Sequence, residues 1–376
     1  MQMSRINISL VGGQPFPVYA QILDNQPDIA ILVCSQQTQK DAERIMSLLG
    51  HRCSSIKAFV VKISATDNKQ ADDVIKSQSE QYCKYGNEIT INVAGGTKPW
   101  ALLFAKHFKN KATIVFIDQN NVVWNLDTLE SHHFDSRSIS ISEIFGLHGV
   151  RVRMTPLDEY TDEDKECVLQ VKRMRKCNFK AFNKLTMFLA EHPNESYASH
   201  DNCSIEYSNG IFKCHFEYHG KFTKIIDKEL SSPHARQILL NSGWFEYEVA
   251  QLLQSWSNAE NIWLNVNINY EGNSKTVNEI DVIVETKAHK LLFVECKTQV
   301  KDSTHIDKFN DVVKKYGGLG SKRIFITEVP LHDLPLDKCE KTRMPHFTTN
   351  EVTADDESMQ AFFAALDEYM TSINER

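Results

Sequence analysis

Short runs rich in Val, Ile, Leu and Phe alternate with amphipathic stretches through the first 120 residues. The runs that predict strands are "INISLVGG", "DIAILVCS", "IKAFVVKI", "EITINVAGG" and "KATIVFID". Helical periodicity covers residues 39–49 and 72–85 between them. Strands that alternate with helices of this size are typical of βαβ units. We therefore predict an α/β domain with a mostly parallel sheet that is covered on both faces.

The pattern changes after residue 150. Residues 171–193 have the spacing of one basic amphipathic helix, and "CSIEYSNGIFKCHFEYHG" predicts a hairpin that turns at Asn209 and Gly210. The helix "NSGWFEYEVAQLLQSW", the strand "NIWLNVNINY", a helix at 306–316, the strand "KRIFITEV" and a helix at 358–370 follow. The predicted organisation is a first domain at 1–150, a connector and accessory layer at 151–235, and a second α/β core at 236–376.

Two further apolar runs within residues 279–297, "EIDVIVETKAHKLLFVECK", predict neighbouring strands that are joined by the polar turn 285–290. Asp281 interrupts the first run, and Glu295 with Lys297 interrupts the second. Residues two apart on a strand share a face, so Glu295 and Lys297 point the same way. Asp281 can face them if the register allows it. A surface hairpin would explain the charged turn, but it would not explain these three residues.

A divalent metal site is the chemistry that fits these charges. Carboxylates a few ångströms apart repel each other unless a cation lies between them. Mg²⁺ and Mn²⁺ prefer oxygen ligands, which Asp281, Glu295 and the backbone carbonyl of Cys296 would supply. Glu246, in the first turns of the preceding helix, can reach the same place. Lys297 would orient a water molecule or neutralise charge that develops on a phosphate.

A second candidate site follows the strand "EITINVAGG". The loop presents glycine amides, a hydroxyl and a lysine at the start of a helix, and Pro99 lies just inside that helix. Such a helix N-terminus suits a phosphate. The spacing matches neither GxxxxGK[ST] nor GxGxxG, and a plain tight turn is the alternative. The candidates at this edge of the sheet are Gly95, Gly96, Thr97, Lys98, Gln14, Ser35 and Thr38.

Composition narrows the protein class. The chain has 376 residues, 24% charged and 41% hydrophobic, and its formal net charge is −7. These values are ordinary for a two-domain globular protein and argue against a generally basic surface, although a local basic groove is still compatible with them. The nine cysteines form no CxxC pair, which indicates a reducing, cytoplasmic setting. The start "MQMSRINISLVGGQPF" resembles neither a signal peptide nor a membrane anchor.

These motifs together resemble a known family. Glu246, Asp281 in "NEIDV" and the "ECK" of 295–297 resemble the PD-(D/E)XK restriction-endonuclease core over about residues 235–330. Ile280 stands where that pattern has a nominal proline. "NVAGGTKPW" resembles the nucleotide-sensing CARF domain. With "GWFE", "ECKT" and "YGGLGSKRIFIT" in the same order, the chain resembles the CARF–nuclease fusions that serve type III CRISPR systems as ancillary effectors.

The resemblance implies a Rossmann-like CARF domain and a homodimer that binds a cyclic oligoadenylate, usually the tetra-adenylate. Binding would activate metal-dependent cleavage of DNA or RNA. Asp281 and Glu295 would hold Mn²⁺ or Mg²⁺, Lys297 would be the catalytic lysine, and Glu246 would complete the acidic cluster. Glu279 would be a ligand or a supporting residue. The loop 95–98 would line the activator site, and the candidates for substrate contact on the helix after the core are Lys308, Lys315 and Tyr316.

Two alternatives stay open at this stage. A restriction or repair endonuclease outside CRISPR would use the same Asp281, Glu295 and Lys297 without any nucleotide. A nucleotide-sensing module with a degenerate nuclease core is the other, although the intact acidic residues and lysine argue against it. The sequence leaves the ring size of the activator open. It also does not decide between single-stranded DNA, RNA and nicked duplex as the substrate.

Overall fold

The structure, a computed structural model, describes residues 3–135, 138–219, 223–270, 276–300, 302–318 and 320–372. Seven strands of the first domain form one sheet in the order β3-β2-β1-β4-β5-β6-β7, and the first five are parallel. The prediction of a mostly parallel sheet is therefore confirmed. The strands are β1 (Arg5–Leu10), β2 (Ile29–Cys34), β3 (Lys57–Lys62), β4 (Glu88–Asn92), β5 (Thr113–Ile117), β6 (Val122–Asn125) and β7 (Ser131–His133).

Helices cover both faces of this sheet. Successive residues of β2 enter two different cores: Leu32 packs in one, and Ile31 and Val33 pack in the other. A strand that is buried on both faces needs a nearly continuous apolar sequence, which "IAILVC" supplies. The helices are α1 (Phe16–Asn25), α2 (Gln39–Arg52), α3 (Asn68–Tyr82), α4 (Lys98–His107) and α5 (Ile141–Gly146).

The middle segment holds two helices, α6 (Asp162–Cys177) and α7 (Phe179–Glu191), where the sequence predicted one. That prediction was wrong because the chain leaves helical geometry at Asn178, with φ −141° and ψ 88°. The Asn178 side chain accepts a hydrogen bond from the backbone of Ala181 and caps α7. An antiparallel four-stranded sheet follows: β9 (Tyr197–His200), β10 (Cys203–Ser208), β11 (Ile211–His219) and β12 (Thr223–Leu230).

The hairpin between β10 and β11 turns at Asn209 and Gly210, as predicted. Their φ angles of 52° and 83° are those of a tight hairpin turn.

The C-terminal sheet has the order β17-β16-β15-β14-β13-β8 in the described residues. The edge strand β8 (Val150–Pro156) comes before α6 in the chain and pairs with β13. The start of the middle segment is therefore hydrogen-bonded into this sheet. The other strands are β13 (Ala259–Tyr270), β14 (Thr276–Thr286), β15 (Leu291–Lys297), β16 (Lys322–Thr327) and β17 (His346–Thr348). The strands from β8 to β15 are antiparallel, whereas β15, β16 and β17 run parallel.

Helices cover this sheet too: α9 and α13 pack on one core, and α5 and α10 pack on the other. They are α8 (Ala235–Leu239), α9 (Gly243–Gln254), α10 (Thr304–Tyr316), α11 (Asp333–Lys341), α12 (Thr349–Val352) and α13 (Asp356–Thr371). None of the helices in the described ranges is both long and apolar enough to span a membrane.

Strands β13 and β14 exchange faces at one point. Leu264 and Val282 are paired and lie in the first core, whereas the paired residues Val266 and Ile280 lie in the second core. Residues two apart on a regular strand would share a face. Asn265, with a left-handed φ of 53°, lies between them on β13, and Asp281 is its counterpart on β14. Asp281 therefore interrupts the apolar pattern where the strand changes faces.

Candidate active site

Asp281 stands where β14 and β15 separate. Their ladder last pairs Val282 with Val294. Beyond this pair, Oδ2 of Asp281 accepts the backbone N–H of Cys296 at 2.7 Å. The Cys296 side chain is buried in the core. The Asp281 carboxylate thus replaces a ladder carbonyl and fixes the end of β15.

Lys297 joins the two carboxylates of the hairpin. Its Nζ lies 2.8 Å from Oδ2 of Asp281 and 2.8 Å from Oε1 of Glu295. Asp281 is 8% exposed and Glu295 is 9% exposed, so the ion pairs are largely shielded from water. The sequence left the register open, and the structure places Asp281 beside Glu295 and Lys297.

Glu246 enters the same cluster from α9. It lies in the first turn of this helix and is 9% exposed. The helix begins at Gly243, where a Cβ atom would lie 2.3 Å from the carbonyl oxygen of Gln237. Gly243 therefore allows α8 and the start of α9 to approach each other. This local packing sets the depth at which Glu246 is held.

The cluster brings several carboxyl groups close to one ammonium. Burial raises the pKa of Glu246 well above its usual range, and the nearby Asp281 raises it further. The pKa of Glu295 is raised by the same two causes, against the opposing effect of Lys297. Despite its own burial, Lys297 has a raised pKa because Asp281 and Glu295 stabilise the ammonium. Lys297 therefore stays protonated across the neutral pH range.

The residues fit a divalent cation by charge and by donor type. Four carboxyl groups supply oxygen ligands here: Glu246, Glu279, Asp281 and Glu295. Burial raises the pKa of Glu279 too, as does the nearby Asp281. Within the described ranges, however, no three His, Cys, Asp or Glu side chains are grouped closely enough to hold a metal ion. Lys297 occupies the space between two of the carboxylates.

A cavity of about 610 Å³ opens beside the cluster. Glu246, Glu279, Asp281 and Lys297 line one part of it. Cavity-lining residues that sequence reasoning missed are Arg153, His234, Arg236, Asn265 and Asn267. The two asparagines leave a local signal, since they interrupt the strand "NIWLNVNINY". The other three have none, because they come from β8 and α8 and reach the cavity only through the fold.

The predicted substrate contacts on α10 do not line this cavity. Lys308 and Lys315 are exposed, and Lys315 lies 3.2 Å from the hydroxyl of Tyr270. Tyr316 is 0% exposed and packs against Phe145. The interpretation of Tyr316 as a substrate contact was wrong, because its apolar neighbours on α10 turn this side chain into the core. Glu279, by contrast, does lie at the cavity rim.

The candidate loop in the first domain begins α4, as predicted. The Thr97 side chain accepts the backbone N–H of Trp100 and caps the helix, and Lys98 is exposed. Gly96 has φ 72°, and a Cβ atom on Gly95 would lie 2.1 Å from the carbonyl oxygen of Leu10. Glycine is therefore required where this loop meets the end of β1.

The loops after β1 and β2 lie beside the loop 95–98 at the same edge of the sheet, since β1 lies between β2 and β4. The backbone N–H of Ser35 donates a hydrogen bond to the Thr38 hydroxyl, and this hydroxyl donates to the carbonyl of Val11. The Thr38 hydroxyl therefore holds the loop in shape. Oε1 of Gln14 is buried and, in the part of the chain that is described, has no hydrogen-bond partner. The three loops surround the carboxyl ends of the central strands, the usual ligand position in such sheets.

Family comparisons match both domains. Residues 6–143 match the family described as the Card1 CARF domain, and residues 234–335 match the Card1-like endonuclease domain. No curated protein matches the chain by sequence. The segment between the two matched ranges contains β8, α6, α7 and the four-stranded sheet.

Solved structures share the whole architecture. Can2 from Sulfobacillus thermosulfidooxidans, in complex with cyclic tetra-adenylate, has a TM-score of 0.68 at 18% identity over 98% of this chain and 100% of its own. Protein VC1899 from Vibrio cholerae has a TM-score of 0.71 at 16% identity over 96% and 98%. A type III CRISPR defence DNA nuclease activated by cyclic oligoadenylate has 0.53 at 14%, over 89% of this chain and 48% of its own. At these identities, the likeness establishes the fold.

Proposed function

Because this chain joins a CARF domain of the Card1 type to a Card1-like endonuclease domain, we propose that it is a metal-dependent endonuclease activated by a cyclic oligoadenylate in type III CRISPR defence. Cyclic tetra-adenylate is the proposed activator, since the similar Can2 was solved with this ring. The proposed substrate is single-stranded DNA or RNA, or duplex DNA that the protein nicks. The nine free thiols are consistent with the cytoplasm as its place of action.

The arrangement of Lys297 between Asp281 and Glu295, beside an open cavity, carries the proposal. In the active state Asp281, Glu295 and Glu246, with the backbone carbonyl of Cys296, would hold Mn²⁺ or Mg²⁺. The ion, when bound, would activate water and offset charge on the phosphate. Lys297 would then be released towards the cavity. A lysine ammonium is ordinarily protonated at neutral pH, so Lys297 would act there as a cation on the reacting phosphate rather than as a base.

The activator would bind at the loops that follow the central strands of the first sheet. Gly95, Gly96 and Thr97 present backbone amides at the start of α4, and Lys98 adds an exposed ammonium. Gln14 would use its unpartnered oxygen to accept a hydrogen bond from an adenine or ribose. Two copies of the chain would share one ring, which implies a homodimer.

A cleavage assay with Mn²⁺ tests this function. Supercoiled plasmid and labelled single-stranded DNA and RNA are incubated with no ring and with cyclic tri-, tetra- or hexa-adenylate, beside Lys297→Ala. Cutting that needs one ring and is lost in the variant is the expected result. Cutting without any ring would instead indicate a restriction-type or repair-type endonuclease. If wild-type protein cuts nothing, a nucleotide-sensing module without nuclease activity becomes the better description.

A further inference from the structure

Two arginines line the cavity beside the carboxylate cluster. Arg153 on β8 and Arg236 on α8 are both exposed, and neither forms an ion pair with a carboxylate in the described ranges. Three arginines away from this cavity do form ion pairs: Arg44 with Asp41, Arg52 with Glu143, and Arg175 with Glu328. Unpaired guanidinium groups beside a phosphodiester-cleaving site match the planar, bidentate geometry of phosphate.

Arg153 lies in one row with a catalytic-site residue. Arg153 pairs with Asn267 on β13, and Asn267 pairs with Glu279 on β14. All three line the cavity. Two strand spacings separate Arg153 from Glu279, about 10 Å at the backbone. This separation leaves the guanidinium unpaired while keeping it within reach of a strand that crosses the carboxylate cluster.

Residues of the middle segment hold Arg236 in place. Its guanidinium lies over the ring of Tyr207, 5.7 Å from the centroid. Asp164, which is 0% exposed, accepts the backbone N–H of His234, and its Oδ2 lies 3.0 Å from Nδ1 of the same residue. The His234 ring stacks on Tyr160 with centroids 4.2 Å apart. Asp164 on α6 therefore fixes the start of α8, and Tyr207 on β10 holds the Arg236 side chain.

We infer that the segment 150–233, which neither family match covers, supplies the substrate-binding wall of the nuclease cavity. Arg153 contributes directly, and Arg236 is positioned by Asp164 and Tyr207. The two guanidinium groups bind backbone phosphates of the nucleic acid next to the phosphate that reacts at Lys297. This inference rests on the proposed nuclease function, but it concerns binding and is tested without cleavage.

The test measures binding of a fluorescently labelled single-stranded oligonucleotide by anisotropy in Mg²⁺, over a series of salt concentrations. All proteins carry Lys297→Ala, so that none can cut, and each is measured with and without cyclic tetra-adenylate. Arg153→Ala/Arg236→Ala is compared with Arg173→Ala, whose arginine is exposed on α6 and lines a different groove. For a single strand, each lost phosphate contact makes the slope of log K against log salt less steep by about 0.7. We therefore expect the slope of the double variant to be less steep by about 1.4.

Weaker binding with a reduced slope in the double variant alone would support the inference. An unchanged slope in the double variant, or an equal loss in Arg173→Ala, would overturn it, because the effect would then be absent or one of overall charge. Melting temperatures check that each variant is folded. If these variants show binding through the arginines while wild-type protein cuts nothing in the cleavage assay, the proposed function is refuted and this inference stands.

Discussion

The ammonium of Lys297 lies 2.8 Å from Oδ2 of Asp281, the same oxygen that accepts the backbone N–H of Cys296 at 2.7 Å. One carboxylate oxygen therefore fixes both the side chain and the backbone at the end of β15. A divalent cation that bound this oxygen would compete with Lys297 for it. In the metal-bound state that we propose, Lys297 would therefore be released towards the cavity.

Replacing Lys297 with methionine should abolish cleavage and also destabilise the fold. The change leaves Asp281 and Glu295 buried without their cation, and removal of one partner of a buried pair is costly. Because Lys297 is 29% exposed, we expect a loss of up to about 3 kcal/mol rather than the full buried-pair value. Urea unfolding measures the loss. Lys287→Met, on the exposed turn of the same hairpin, should change neither property.

Glu246→Gln should stabilise the metal-free protein, and more so as the pH rises. The folded-state pKa of Glu246 is raised, so its contribution to stability is present below the unfolded value and is lost as pH rises through the folded value. Glutamine stays neutral and loses nothing. The melting temperature of the variant should therefore exceed that of wild type by a margin that grows as the pH rises above the ordinary glutamate pKa. A margin that shrinks over this range would show that Glu246 is not held at a raised pKa.

Mn²⁺ should raise the melting temperature of wild-type protein in the absence of nucleic acid. An ion that binds only the folded state adds about 2.7 kcal/mol at a concentration of 100 times Kd. Asp281→Asn/Glu295→Gln should remove the effect, because it removes both carboxylates of the hairpin. Glu248→Gln, on another face of α9 and paired with Lys172, should keep it. An equal rise in both variants would place the metal elsewhere.

Much of this site could be predicted because its signals are local. The E-C-K triplet on β15 and Asp281 on β14 interrupt apolar runs, and a short polar turn joins these runs, so the register follows from the hairpin. The first sheet was similarly clear, since each β-strand is a compact apolar run between amphipathic helices. The prediction of one helix at 171–193 failed for a local reason too. The Asn178 side chain caps a new helix, whereas the hydrophobic periodicity continues through this residue.

Arg153 and Arg236 could not be found from the sequence, because nothing adjacent in the chain distinguishes them. Arg153 faces the cavity because β8 joins the edge of a sheet whose other strands begin more than 100 residues later, and Arg236 faces it because α8 packs against α9. Tyr316 shows the opposite limit. An aromatic residue beside two lysines has the composition of a substrate contact, but its position on α10 directs it into the core.

Gly95→Ala should weaken the response to the activator. A Cβ atom there would lie 2.1 Å from the carbonyl oxygen of Leu10, so the loop before α4 must move away from the end of β1. We expect a lower melting temperature for this domain and a higher activator concentration for half-maximal cleavage. Gly13→Ala is the matched control, because a Cβ atom at Gly13 has no neighbour within 4 Å. If both variants respond like wild type, the loop 95–98 does not contact the activator.

The contact between Lys290 and Asn120 should transmit part of the activation. Nζ of Lys290, in the turn between β14 and β15, donates to Oδ1 of Asn120 in the CARF domain at 2.7 Å, and it also donates to the carbonyl of Met370. Asn120→Ala removes only the bond between the domains. It should reduce the ratio of cleavage rates with and without cyclic tetra-adenylate about fivefold, the lower end of common coupling energies. Lys287→Ala, on the same turn and exposed, should leave this ratio unchanged.

Lys290→Ala combined with Asn120→Ala should reduce the ratio no further than Lys290→Ala alone, because the two changes remove the same bond. Additive losses would show that the two residues act separately.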